Sequence, residues 1–237
     1  MSGNATIVFN LKSDAVGDLK RLRSLLWIDF LGQVKRLTLN GKKLRSPKDF
    51  TAKGGKIVLK ASALRLVRIN DNKFEIDYFA PFGSEKNASA LVHFHNHIDG
   101  RDYYYTKKPP FKAASLFPCF DQPDILGIHE VQVEAPLAWT AVTSTLCTRK
   151  KRLAKTQEWH YEKSIPYPSY QFCILVGPYD EWVGPPPEDG ETPLIFYGRK
   201  SLKKFAQWLD LGMCVRHPKD FDFFRKGRPK GQSARRR

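Results

Sequence analysis

Short runs in which apolar and polar residues alternate fill most of the first two hundred positions, and Gly, Pro, Asn or Asp residues separate them. Alternation with a period of two and enrichment in β-branched and aromatic residues are typical of strands rather than helices. Asn40 and Gly41 lie between two such runs and predict a two-residue hairpin. The clearest predicted strands are Thr6–Leu11, Leu25–Leu31, Val34–Leu39, Lys56–Lys60, Phe74–Phe79 and Leu91–His95.

Further strands are predicted in the middle of the chain. Val131 and Val133 alternate with polar or charged neighbours, Trp159 and Tyr161 flank a histidine, and Gln171–Val176 is a nearly continuous apolar run. Antiparallel strands with one buried face give this alternation. These runs therefore favour a large antiparallel sheet or a sandwich.

Helical patterns are few. Lys112–Leu116 predicts one helical turn, and Ser201–Leu211 predicts a short helix that starts at a serine cap and ends before a glycine. The leucines around Asp18–Ser24 follow a helical spacing, so this stretch is either a helix or the approach to the strand that begins at Leu25. We expect a mainly β domain over 1–200, a helical segment over 201–224 and a basic tail over 225–237.

The composition changes this picture mainly through charge. The chain has 40 Lys and Arg against 24 Asp and Glu, a formal net charge of +16, while 41% apolar residues suffice for a real core. No apolar run reaches the roughly 18 to 20 residues that span a bilayer, so we expect no membrane partner. The start lacks a secretory or transit pattern and the four cysteines form no CxxC pair, so a cytoplasmic location is expected, with a nuclear or mitochondrial one as the alternative.

Two candidate catalytic or metal-binding motifs are present, but each lacks some of the residues that it needs. His129-Glu130 begins an HExxH zinc motif, but Val133 stands where the second histidine is needed. His93, His95 and His97 would lie on one face of a strand and could bind a transition metal, yet the sequence implies no carboxylate or cysteine to complete the set. We therefore expect no metal, no cofactor and no catalytic residue.

One stretch carries a more specific signal. FPCFDQPD at Phe117–Asp124 is followed by a predicted strand and an AP-x-x-W corner at Ala135–Trp139. This stretch resembles the N-terminal domain of the aminopeptidase N-like zinc aminopeptidases, and weaker similarity extends over most of the chain. The resemblance implies a saddle-like antiparallel β-domain that flanks a thermolysin-like catalytic domain in the family.

The sequence departs from the family in two ways. The family's GAMEN-type substrate loop, HExxH helix and distal glutamate do not occur in these 237 residues. The family's segment before FPCFDQPD carries a glutamine and an acidic residue that help hold the substrate amine, and the matching positions here are Lys107 and Pro109. A cation repels an ammonium group and proline has no side-chain acceptor, so the resemblance implies a chain that is not itself an enzyme.

The excess of positive charge then becomes the main clue to function. Seven cations and no acid lie from Arg225 onward, and the rest of the chain still carries +9, with local clusters that include Lys42, Lys43 and Arg45. Phosphate is the simplest partner for such a surface. The predicted nucleic-acid-binding residues are Arg149, Lys150, Lys151, Arg152, Arg225, Lys226, Arg228, Lys230, Arg235, Arg236 and Arg237.

These observations lead to one main hypothesis and two alternatives. The main hypothesis is a structural or assembly component of an RNA-protein particle, such as a ribosome, that contacts RNA or another polyanion and protein partners. The first alternative is a truncated or accessory N-terminal domain of a zinc metalloaminopeptidase. The second is an adaptor that binds peptides along a sheet edge.

Overall fold

A computed structural model describes residues 1–11, 26–83, 90–107, 112–183 and 195–202. The described chain is mainly β and its strand pairs are antiparallel, as the alternation predicts. One four-residue helix, α1 at Ala61–Leu64, and short 3-10 turns at Ala113–Ser115, Ser169–Gln171 and Lys200–Leu202 interrupt the strands. No helix in these ranges is long and apolar enough to cross a membrane.

The strands are numbered in chain order. Those of the first half are β1 Ser2–Phe9, β2 Trp27–Asp29, β3 Gln33–Leu39, β4 Lys42–Lys43, β5 Phe50–Lys53, β6 Lys56–Leu59 and β7 Asn72–Phe79. Those of the second half are β8 Leu91–Asn96, β9 Arg101–Thr106, β10 Leu126–Gly127, β11 Gln132–Pro136, β12 Thr140–Thr143, β13 Cys147–Arg152, β14 Thr156–Tyr161, β15 Tyr167–Pro168, β16 Ile174–Gly177, β17 Tyr179–Val183 and β18 Ile195–Arg199.

The first half contains a four-stranded sheet in the order β1-β7-β3-β4 and a three-stranded sheet in the order β2-β6-β5. Strand β7 lies between β1 and β3, and its alternate residues Phe74, Ile76 and Tyr78 are buried. Together with Ile28 and Leu37 they belong to one continuous core. Burying a side chain of this size contributes about 1.5–3 kcal/mol, so this core is the main source of stability for the half.

The predicted Asn40-Gly41 hairpin is present between β3 and β4. Asn40 has φ 50° and Gly41 has φ 79°, the left-handed values that a two-residue hairpin turn of the primed type requires. A second two-residue turn at Gly54 and Gly55, with φ 63° and 77°, joins β5 to β6.

The second half is divided among smaller sheets. A four-stranded sheet has the order β12-β16-β9-β8, a three-stranded sheet has the order β11-β14-β13, and β10-β15 and β17-β18 form pairs. Two clusters of buried residues support them, one around Leu116 and Phe172 and the other around Trp159 and Tyr161, and the partly buried Val131, Val133 and Val176 pack against both.

The FPCFDQPD segment joins the two halves. Asp29 on β2 exchanges backbone hydrogen bonds with Cys119 at 2.8 and 3.1 Å, and its carboxylate accepts the N–H of Asp121 at 3.1 Å. Phe117 packs against both the first-half core and the Leu116 cluster. The segment therefore has a structural role: it ties β2 of the first half to the clusters of the second half.

The predicted strands of the first half are confirmed, with bounds that differ by up to four residues. The predicted turn at Lys112–Leu116 is observed as the 3-10 turn Ala113–Ser115. The Asp18–Ser24 stretch, most of the Ser201–Leu211 helix and the basic tail lie outside the described residues. The division into 1–200, 201–224 and 225–237 stays a prediction.

Candidate functional site

The four consecutive cations of the middle cluster lie on an exposed strand. Arg149, Lys150, Lys151 and Arg152 all belong to β13, and every residue of this strand is exposed. Within the described residues β13 pairs on one side only, with β14, so it forms an edge of its sheet. Side chains alternate along a strand, so the four cations point to both faces rather than forming one patch.

One face of this sheet mixes the cations with acidic and polar groups. A guanidinium nitrogen of Arg149 donates to Nε2 of His160 at 3.2 Å, and Nδ1 of the same ring is 2.9 Å from the amide nitrogen of Gln132. Lys151 lies opposite Glu158, which in turn lies opposite Glu134 on β11. The two glutamates partly neutralise the strand on this side.

The other face is different. Lys150 lies opposite Trp159, which is only 2% exposed and anchors the small core beneath the sheet. Arg152 lies opposite Gln157, next to the turn that leads from β13 into β14. The geometry of β13 therefore offers two cations on each face, and one of these pairs shares its face with carboxylates.

The remaining predicted nucleic-acid-binding residues lie outside the described residues. These are Arg225, Lys226, Arg228, Lys230, Arg235, Arg236 and Arg237. Their role stays a prediction from composition.

The histidine run has a carboxylate partner that sequence reasoning missed. His93 and His95 on β8 contact the same carboxylate oxygen of Asp102 on β9, through Nε2 at 2.8 Å and Nδ1 at 2.9 Å. Hydrogen bonds from His95 and then His93 lower the pKa of Asp102. His97 lies just beyond β8, with its ring 5.3 Å from that of His95.

The hairpin register is the signal that could have located Asp102. Counting back from the turn at Gly100 pairs Asn96 with Arg101 and therefore His95 with Asp102. Within the described ranges no group of three or more His, Cys, Asp or Glu side chains is arranged to hold a metal ion. The cluster is a hydrogen-bonded surface network.

The incomplete zinc motif at His129 and the position of the family's amine site at Lys107 are also part of the described structure. The ring of His129 stacks on Tyr167 with centroids 4.5 Å apart, and its backbone pairs with Ser164 ahead of β11. Lys107, at the position where the family resemblance places the glutamine of the amine site, is exposed at the end of β9. Pro109 lies outside the described residues.

Comparison with curated proteins finds aminopeptidases. The chain is 28% identical over 141 residues to aminopeptidase N of Streptomyces lividans, a match that covers 59% of this chain and 16% of that protein. It is 29% identical over 114 residues to leucine aminopeptidase 2 of Candida albicans, which covers 47% of this chain and 17% of that protein. The chain thus spans a small part of the length of the relatives it matches.

Solved structures give the same relationship at the level of the fold. An M1 zinc metallopeptidase from Deinococcus radiodurans superposes with a TM-score of 0.59 at 17% identity, over 83% of this chain and 42% of that one. Aminopeptidase A of Legionella pneumophila superposes with a TM-score of 0.62 at 16% identity, over 76% of this chain and 20% of that one. At these identities the superpositions establish a shared fold.

The family model supplies the assignment. The model of the Peptidase M1 N-terminal domain matches residues 1–171, well over half of the 237 residues, and includes the FPCFDQPD segment that joins the two halves. The resemblance found in the sequence is confirmed, and the chain belongs to the family of Peptidase M1 N-terminal domains.

Proposed function

We propose that this chain provides the N-terminal β-domain of a zinc aminopeptidase and acts as a non-catalytic accessory module. The observation that carries the proposal is the family match over residues 1–171. The role of the module is to present the β-scaffold and its FPCFDQPD segment to a catalytic domain, whether that domain continues the same polypeptide or belongs to a separate one.

The chemistry of the residues supports a non-catalytic role. Peptide hydrolysis by a zinc peptidase needs a metal-activated water, and the sequence contains no HExxH to hold the metal. Lys107 is exposed and stands at the position where the related aminopeptidases have the glutamine that helps hold the substrate amine. Its ammonium group repels the free amine of a peptide substrate.

An activity assay tests this proposal. The purified chain is mixed with amino-acid anilides in the presence of added zinc, with aminopeptidase N of Streptomyces lividans as the positive control. We expect no hydrolysis above the buffer rate and no tightly bound zinc by elemental analysis. Turnover that a chelator abolishes would contradict a non-catalytic module.

A second measurement tests the accessory role itself. Affinity capture of the tagged chain at high salt, followed by mass spectrometry, is expected to recover a zinc peptidase in a stoichiometric amount, unless the natural polypeptide carries its own catalytic domain. Migration of the native protein as a free monomer of 27.2 kDa, with no partner, contradicts the accessory role.

The second candidate function is a component of an RNA-protein particle. The observation that favours it is the run of four exposed cations on β13 within a chain of net charge +16. Counterion release makes such a surface attractive to phosphate. Sedimentation of the native protein with large particles, and its release by nuclease, is the expected result; sedimentation as a small protein before and after nuclease contradicts it.

A further inference from the structure

The densest positive charge of the described chain lies away from β13. Between positions 30 and 70 there are eleven cations and a single acid, Asp49, whereas positions 130–163 carry six cations and four acids. Six exposed cations of the first stretch make up what we call the basic hairpin surface. They are Lys42, Lys43, Arg45, Lys48, Lys53 and Lys60.

Four of these six cations lie around Asp49. The N–H of Asp49 donates to the carbonyl of Arg45 at 2.7 Å, and the N–H of Lys60 donates to the carbonyl of Asp49 at 2.8 Å. Lys42 and Lys48 both act electrostatically on the Asp49 carboxylate. Strand β4, the turn that follows it and the start of α1 therefore meet at one place.

The single acid of this region is already engaged. Its carboxylate accepts the backbone N–H of Arg45 at 2.9 Å and the hydroxyl of Ser62 at 2.8 Å. Among the described residues, no ion pair within 4 Å involves a cation of the basic hairpin surface. Most of the positive charge is therefore left for an external partner.

The β5–β6 hairpin adds Lys53 to the basic hairpin surface, and it places two lysines opposite each other. Lys53 and Lys56 lie directly opposite each other across the Gly54-Gly55 turn. Like charges in this position destabilise a hairpin. The ammonium of Lys56 lies 4.1 Å from the ring centroid of Trp27, and the side chain of Lys53 is exposed.

We infer that the basic hairpin surface binds the phosphate backbone of a nucleic acid. Lysine is depleted at protein–protein interfaces, whereas nucleic-acid interfaces are much more positive and tolerate many exposed cations. The cations lie on two strand pairs and their turns, and the one acid among them, Asp49, already has hydrogen-bond donors within the chain. Such a distribution suits contacts with the phosphate backbone. The inference rests on the second candidate function and assigns the main contact to a surface other than β13.

The test compares two matched sets of four substitutions in the full chain. One set is Lys42→Gln, Lys43→Gln, Lys48→Gln and Lys53→Gln, and the other is Arg149→Gln, Lys150→Gln, Lys151→Gln and Arg152→Gln. Binding of a fluorescein-labelled RNA hairpin is measured by anisotropy between about 50 and 200 mM salt. Thermal unfolding of each variant confirms that the fold is kept, as expected for exposed positions.

The salt dependence gives the decisive readout. Each phosphate contact contributes about 0.7–0.9 to the slope of log affinity against log salt, so the first set is expected to reduce the slope by about 3 and the low-salt affinity at least tenfold. The β13 set is expected to change the slope by about 1 or less. The inference is wrong if both sets lower the RNA affinity and the salt slope equally, or if the β13 set lowers them more.

Two further arms separate the partner classes. If the unchanged chain binds no RNA, both the second candidate function and this inference are wrong. If the unchanged chain binds RNA and the first variant set binds it equally well, only the inference is wrong. Unlabelled duplex DNA tells whether the phosphate chemistry is shared between the two nucleic acids. Displacement of the RNA by polyglutamate as readily as by unlabelled RNA indicates an acidic protein partner and overturns the nucleic-acid assignment.

Discussion

The two halves of the molecule differ in both core and charge. In the described residues, positions 1–80 carry twelve cations and five acids, while positions 81–202 carry eleven cations and ten acids. The described part of the first half has one large buried cluster, whereas that of the second half has two smaller ones. The half with the larger buried cluster therefore also carries nearly all of the net positive charge of the described chain.

The excess of positive charge is therefore a local property of the described chain. A net charge of +16 spread evenly would indicate a solvated surface with no preferred partner. In the described residues +7 of a net +8 lies on the half with the continuous core, so these cations stand on a well-packed support. Self-repulsion of these charges costs stability, and the large core is in a position to offset it.

The largest expected loss of stability comes from removing a central aromatic side chain of the first half. Phe74 is fully buried on β7 and stacks on Phe9 with centroids 5.2 Å apart. Phe74→Ala is expected to lower the free energy of unfolding by about 3–5 kcal/mol, because the surrounding strands cannot close the cavity. Urea unfolding with a constant m-value measures this loss.

Phe172 in the second half is the matched control. It is 5% exposed and also has an aromatic neighbour, Phe117, at 5.4 Å. Phe172→Ala is expected to cost less than Phe74→Ala, because the cluster around Phe172 has fewer buried residues and can relax more easily into the space. An equal or larger cost for Phe172→Ala would show that the second half is as tightly packed as the first, and the contrast between the two cores would be lost.

The sequence predicted the parts of the fold that depend on local pattern. Alternation located β3 and β7, and Asn40-Gly41 located its hairpin turn, because both signals lie within a few neighbouring residues. The pairing of Asp29 with Cys119 could not be predicted in this way. It joins residues that are far apart in sequence, and only the packing of the two halves brings them together.

The candidate site was predicted only in part. The cluster at Arg149–Arg152 was visible as a run of cations, but its neighbours Glu134 and Glu158 became apparent only when the register of β11, β14 and β13 was known. Lys53 and Lys48 are dispersed along the sequence, so no short run marks them. Lys48 is the chain neighbour of Asp49, whereas Lys53 lies at the far end of β5, and its place opposite Lys56 depends on the pairing of β5 with β6.

A charge reversal at the hairpin tip sharpens the contrast in charge. Lys53→Glu replaces two opposed ammonium groups by an opposite-charge pair with Lys56, and it is expected to stabilise the chain by about 0.2–1 kcal/mol. The same change is expected to weaken RNA binding more than Lys53→Gln does, because it adds repulsion. Thermal unfolding and anisotropy on the same samples measure both effects, and a loss of stability would contradict the repulsion.

The smallest expected effect concerns the histidine network of the neutral half. Hydrogen bonds from His95 and His93 lower the pKa of Asp102, so its ionised form is stabilised in the folded state. This contribution is present above the unfolded pKa of about 3.9 and is lost as the pH falls through the lower folded value. A carboxyl NMR titration is expected to show Asp102 ionising below its ordinary range.

Replacing both rings tests the physical cause of this shift. In the variant with His93→Ala and His95→Ala, the pKa of Asp102 is expected to return toward its ordinary value, since the donors at 2.8 and 2.9 Å are gone. The three side chains are roughly half exposed, so water screens the interaction and the stability above pH 4 should change little. A pKa of Asp102 that stays low in this variant would point to a more distant cationic source, and the second half would then be less neutral electrostatically than its composition indicates.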